Sequence, residues 1–186
     1  MAFPDSNCHS SSVGGSPLYN EGRIYEEVSV PAAKRDVIGA IRDAQDEVER
    51  LVSSAPESAW SRQGYEQGWN ARQLLCHIAS TSGVAGFLIG MANSRSTGGY
   101  SGDFDIDAWN AQAVAERQEK PVAEVLAEVR GNCQRDIQGV QNAPDDLLAQ
   151  QVRAPWGTEG RLADVIVDSI GEHIMAHVRD LTKVVS

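Results

Sequence analysis

Positive charge is scarce in this chain. Its 16 Lys and Arg stand against 26 Asp and Glu, for a net charge of -10 and an isoelectric point near 4.8. That balance excludes a nucleic-acid backbone or an anionic membrane surface as the main partner. Cysteine is scarce too: Cys8, Cys76 and Cys133 are an odd set with no C-x-x-C spacing, which argues against a disulfide framework. No apolar run approaches the roughly 20 residues that span a bilayer. The opening Met1-Ala2-Phe3-Pro4-Asp5-Ser6 has neither the basic nor the apolar region of a signal peptide. A cytoplasmic location is the expectation.

Histidine is scarce as well, with four in 186. His9 lies in a stretch, residues 1–30, that is rich in Ser, Gly, Asn and Pro and has no usable periodicity. That stretch reads as a flexible tail, with residues 31–186 as one domain. The other three, His77, His173 and His177, all fall on apolar helical stripes, where a polar ring needs a reason to be buried.

The rest of the chain reads as helices. Pro31 opens one that runs to about Ser54, with Val37, Ile41, Ala44, Val48 and Leu51 as its stripe. Asn70 and Gln73 make a capping-box-like start for a helix over about 71–94, carrying Leu74, His77, Ile78, Thr81, Val84, Leu88 and Met91. Its Gly83, Ala85, Gly86 and Gly90 suggest close approach by a neighbour. Residues 95–104 form a loop, and a short helix follows from about Asp105 to Gln118. Pro121 opens a long helix to about Gln141, with Val122, Leu126, Val129, Cys133, Ile137 and Val140 as its stripe. A connection holding Pro144, Pro155, Trp156 and Gly157 leads to a last helix over about 161–184. There Leu162, Ile166, Ile170, His173, His177 and Leu181 are in register. No segment reads as a strand.

Depth links the histidines. His77 lies about seven residues inside the start of its helix and His177 about seven inside the end of the last, each roughly 10 Å at 1.5 Å per residue. Those depths coincide only if the two helices are antiparallel, which a simple up-down-up-down bundle forbids. The expected fold is therefore an all-α, up-down-down-up four-helix bundle, with residues 95–120 as a long crossover carrying a short extra helix.

His173 and His177, at i and i+4, share a face and can grip one ion; His77 at matching depth completes a trio. Three protein ligands leave a coordination position open, the catalytic rather than the structural pattern. Neutral imidazole is a common ligand for zinc and its neighbours. Cys76 and Cys133 read as buried fillers. Asp103, Asp105 and Asp107 resemble the opening of a calcium loop. Ala108 and Val114 stand where that loop needs Gly and Glu, which excludes it. Gly98-Gly99-Tyr100-Ser101-Gly102 lacks the Lys-Ser/Thr of a phosphate loop. Trp69, Trp109 and Trp156, at helix starts or in connections, are candidates for the rim of a pocket that binds cofactor or substrate. Arg117, at the end of the short helix, is a candidate catalytic residue facing an anionic substrate group.

At these residues the chain resembles the DinB/YfiT-like superfamily of metal-binding four-helix bundles, which includes mycothiol-dependent maleylpyruvate isomerase. Trp69 to Ala79 is similar to the family's tryptophan, helix-start and histidine segment. Asp107-Ala108-Trp109-Asn110 followed by Arg117 resembles the short-helix segment of the isomerase branch. Pro155-Trp156-Gly157, Leu162-Ala163-Asp164 and His173 to His177 resemble the closing helix. The isomerase branch carries glutamate where His173 stands. The resemblance implies a zinc- or nickel-like ion on His77, His173 and His177, and frequent homodimers. For some members it also implies a low-molecular-weight thiol such as mycothiol, bacillithiol or glutathione. The expected function is a metal-dependent thiol S-transferase or isomerase acting on a small electrophile. The alternatives are a metal-dependent hydrolase and a non-catalytic stress or resistance protein that binds a small molecule.

Overall fold

The computed structural model describes residues 32–64, 68–94 and 104–185. The tail over residues 1–30, the glycine-rich loop and Asp103 lie outside the described residues. Four long helical units form the bundle. The first is α1 (Ala32–Ser54), followed by a 3-10 turn (Glu57–Ser61) whose Trp60 is buried in the core. The second is α2 (Ala71–Thr81) continued by α3 (Val84–Asn93). The short α4 (Ile106–Ala115) rides on the crossover, and α5 (Val122–Asn142) is the third unit. A single turn, α6 (Asp145–Leu148), and a hairpin of β1 (Gln151–Arg153) and β2 (Glu159–Arg161) connect to the fourth. That unit is α7 (Leu162–Ile166), a π-helical turn (Val167–Glu172) and α8 (His173–Val185).

Side-chain contacts fix the directions. Lys34 pairs with Asp145 at 2.9 Å and Glu49 with Arg130 at 2.8 Å, so α1 and α5 are antiparallel. Arg72 donates to the Lys120 carbonyl at 3.0 Å, Asn132 to that of Ala79 at 2.9 Å, and Gly86 N to Asp136 at 3.0 Å. The α2–α3 unit therefore runs parallel to α5. Against the fourth unit, α2 meets α8 and α3 meets α7, which is antiparallel. The bundle is up-down-down-up. Its core is one cluster that includes Ile41, Leu74, Ile78, Val129, Ile166 and Ile174.

Four local features depart from the sequence reading. The helix expected over 71–94 breaks at Ser82 and Gly83. A Cβ on Gly83 would stand 3.3 Å from Asn132 Cγ, and one on Gly86 3.4 Å from Asp136 Oδ1, so α5 is the close neighbour those glycines admit; Gly90 faces open space. On α5, Asp136 is buried where Ile137 was expected. The last helix holds a π turn, whose extra residue moves the buried face by one position. Its core stripe then passes through Ile174 and Val178 and leaves His173 at an exposed edge. Finally, residues 151–161 form a hairpin where no strand was expected. Gly157, at φ 99°, closes its turn, with its N–H donating to the Ala154 carbonyl at 2.9 Å. These three-residue strands are too short to show alternation.

The 23-residue stretch Ala71–Asn93 contains an 18-residue window of mean hydropathy 1.6 and is long and apolar enough by composition to cross a bilayer. It corrects the expectation that no apolar run approaches that length. Here it is broken at Gly83 and packed against α5, α7 and α8, with Leu74, Leu75, Ile78 and Leu88 fully buried.

Candidate metal centre

His77 owes its position to a well-made helix start. Asn70 accepts from Gln73 N at 2.9 Å and Gln73 Oε1 accepts from Asn70 N at 3.0 Å, a complete capping box. Two turns on, His77 projects toward α8. There His173 is the first α-helical residue after the π turn, and His177 follows one turn later.

The three rings converge. His173 Nε2 lies 3.3 Å from His77 Nε2 and 3.0 Å from His177 Nε2. All three candidate ligand atoms fall within 4.8 Å of one another. Imidazole nitrogens about 2.0–2.1 Å from a tetrahedral divalent ion stand about 3.3 Å apart, close to the spacing seen here. Each ring nitrogen carries either a proton or a lone pair, so His173 Nε2 serves both neighbours only by sharing one proton. A cation takes all three lone pairs, and the residues fit it.

Electrostatics agree. Burial, then the neighbouring His177 and His173, pushes His77 down to about 3 from an ordinary 6.5. Burial and His173 take His177 to about 4 against the pull of Asp180. Burial lowers His173 as well, opposed by Asp168. His173 is the solvent-exposed member, yet enough protein surrounds its ring for desolvation to dominate. All three rings are therefore neutral at pH 7, the form that binds metal.

The other expected site residues divide. Trp69 packs on His77, with ring centroids 5.2 Å apart, and walls the site. Trp109 is 36% exposed on α4 and sits tilted against Phe104, ring centroids 6.4 Å apart; among the described residues it makes no ring contact to the histidines. Trp156 sits in the hairpin turn before α7, at the opposite end of the bundle. Eleven helical residues, roughly 16 Å, separate Leu162 from His173, so Trp156 cannot rim the same pocket. Short sequence distance to the helix start misled there. Arg117 is committed elsewhere: Nε and Nη2 donate to Glu128 Oε1 at 2.8 and 2.7 Å, and Nη1 donates to the Ala113 carbonyl at 2.8 Å. Lys120 also binds Glu128, at 3.0 Å, so this cluster fastens the end of α4 to α5.

Cys76 and Cys133 are buried free thiols, pushed up by desolvation to about 11 and about 12, and inert as nucleophiles at pH 7. Sequence reasoning missed Asn132 and Asp136. Their signal was an Asn and an Asp one turn apart, facing a Thr-Ser-Gly break.

This fold and site define a class, and the comparisons name it. The profile of the mycothiol maleylpyruvate isomerase N-terminal domain matches residues 41–181, and the chain belongs to that family. Solved structures share the fold at low identity. A mycothiol-dependent maleylpyruvate isomerase aligns with a TM-score of 0.65 and 14% identity over 82% of this chain; its mutant form aligns at 0.66 and 12%. The chain spans 61% of the length of these isomerase structures. YfiT from Bacillus subtilis, described as a probable metal-dependent hydrolase with an unusual four-helix bundle topology, aligns at 0.64 and 15% identity. That match covers 84% of this chain and 90% of YfiT. No curated protein matches the chain.

Proposed function

We propose that this chain is a divalent-metal-dependent enzyme in which His77, His173 and His177 hold zinc, with nickel second. Its reaction would be the S-transfer or isomerisation of a small electrophile with a low-molecular-weight thiol of the mycothiol, bacillithiol or glutathione type. The carrying observation is the convergence of three neutral imidazoles, with His173 Nε2 standing 3.3 and 3.0 Å from the Nε2 atoms of His77 and His177 and all three ligand atoms within 4.8 Å of one another. An ion bound there would lower the pKa of a thiol or water in its open position, supplying a nucleophile near neutral pH. The chain's own residues do the rest. Burial keeps the ligand nitrogens free of protons, Trp69 packs against the His77 ring, and exposed His173 leaves one side accessible. Glu128 holds the Arg117 guanidinium, so that side chain serves the contact between α4 and α5.

Metal analysis of the purified chain should find up to one divalent ion per chain. His77→Ala and His173→Ala should each lose most of it. In a cobalt-loaded sample, the cognate thiol should add a sulfur-to-metal charge-transfer band that strengthens as pH rises. Normal cobalt loading with no thiol response would sink the thiol reading. Hydrolysis would then be the better account, a reading favoured by the open approach at His173 and by the extent of the YfiT alignment.

A further inference from the structure

Among the described residues, three buried side-chain polar atoms have no hydrogen-bond partner: His77 Nδ1, Asn110 Oδ1 and Ser169 Oγ. Buried polar groups are nearly always paired, so each needs an explanation. The first two are complementary. When His77 presents its Nε2 lone pair to a cation, its proton must sit on Nδ1, and that N–H requires an acceptor. Asn110 Oδ1 is an acceptor with nothing to accept.

Their elements are packed together. The principal neighbour of α4 is α2. Just beyond α4, Gln118 accepts from Gln73 Nε2 at 3.0 Å, which anchors the helix along the first turns of α2. Asn110 shares one face of α4 with buried Ala113 and Val114, at i, i+3 and i+4, and this is the face turned to α2. On α2, Gln73 lies one turn before His77 and within about 40° of it around the axis, at 100° per residue. His77 therefore stands on a seam, with α8 on one side and α4 on the other. The histidines of α8 occupy the Nε2 edge. The two ring nitrogens diverge, so Nδ1 points away from that cluster.

We infer that Asn110 is a positioning residue for the metal centre: its Oδ1 accepts the His77 Nδ1–H, directly or across one water, and fixes the tautomer that leaves Nε2 free to bind. The inference rests on the metal reading above. It also gives α4 a role in the site, as the element that delivers the orienting group.

The experiment measures zinc affinity by chelator competition on the full chain and on Asn110→Ala, Asn110→Leu and Asn110→Asp. Loss of the acceptor should weaken zinc 10- to 100-fold in the first two. Asn110→Asp, which keeps an acceptor, should hold or exceed the wild-type affinity. A merely structural role would not move the second readout, the His77 Nδ1–H signal in nitrogen-15 NMR of the zinc-loaded protein. That proton should exchange slowly in wild type and shift in Asn110→Asp. Unchanged zinc affinity in Asn110→Leu overturns the inference, as does a fast-exchanging Nδ1–H in the wild type, which needs no variant to fold. Wild-type protein that binds no zinc removes the metal reading itself, a distinct failure that takes this inference with it.

Discussion

Asn132 and Asp136, one turn apart on α5, hold the two sides of the break in the unit that carries His77. Asn132 Nδ2 donates to the Ala79 carbonyl at 2.9 Å and to Ser82 Oγ at 3.1 Å. Asp136 accepts from Ala85 N at 3.1 Å and Gly86 N at 3.0 Å. One residue thus binds an end carbonyl of α2, and the other caps the start of α3. These are the groups that a helix break leaves without intrahelical partners.

Removing that cap should be costly. Asp136→Ala leaves the buried Ala85 N–H unpaired, at about 1–3 kcal/mol for such a group, and also frees the partly buried Gly86 N–H. The urea midpoint should fall accordingly, with the slope unchanged. An unaltered midpoint would show that the break needs no support from α5.

Asp136 also gives stability a pH signature. Burial raises its carboxyl from 3.8 to about 6, against the pull of Gly86 N–H, Ala85 N–H and Arg135. A folded pKa above the unfolded one means its contribution is fully present below pH 3.8 and is lost as pH rises through about 6. Asp136→Asn should abolish that component. Urea titrations of both proteins at pH 4.5 and 7 should show the stability difference between them changing with pH.

The histidines act in the opposite direction in metal-free protein. His77 at about 3 and His177 at about 4 lie below their ordinary 6.5. Their contribution is fully present above pH 6.5 and disappears as pH falls through 4 and then 3. His77→Leu should therefore flatten the acid limb of stability measured with chelator present. An acid limb as steep as in wild type would mean that other groups cause it.

Gly171 should resist enlargement. A Cβ there would stand 3.0 Å from Ala40 Cβ on α1, so one helix must shift. Gly171→Val should cost about 1–3 kcal/mol. Because it lies two residues before His173, it should also weaken metal binding. Wild-type thermal stability in this variant would show that α1 yields freely.

Arg117→Ala separates structure from catalysis. The Glu128 pair is partly buried, with 18% and 22% of the two side chains exposed. Burial pushes the Glu128 carboxyl up, but hydrogen bonds from Arg117 and Lys120 outweigh it and hold the pKa low. Its loss should lower stability by about 1–2 kcal/mol and leave metal affinity within about threefold. A selective loss of activity toward carboxylate-bearing substrates, with stability intact, would restore the substrate-anchoring role.

The sequence by itself determined the helices, the antiparallel placement of the histidine-bearing units and the identity of all three candidate ligands. Those follow from local periodicity, capping chemistry at Asn70 and Gln73, and simple helix rise. Tertiary structure alone decided the rest. The π turn before His173, the cap that Asp136 supplies from 50 residues away and the capture of Arg117 by Glu128 each depend on which faces meet across helices. Trp156 shows the same limit: five residues from a helix start in sequence, it lies at the far end of the bundle from the histidines. A one-dimensional pattern records which residues share a face; it does not record what that face touches.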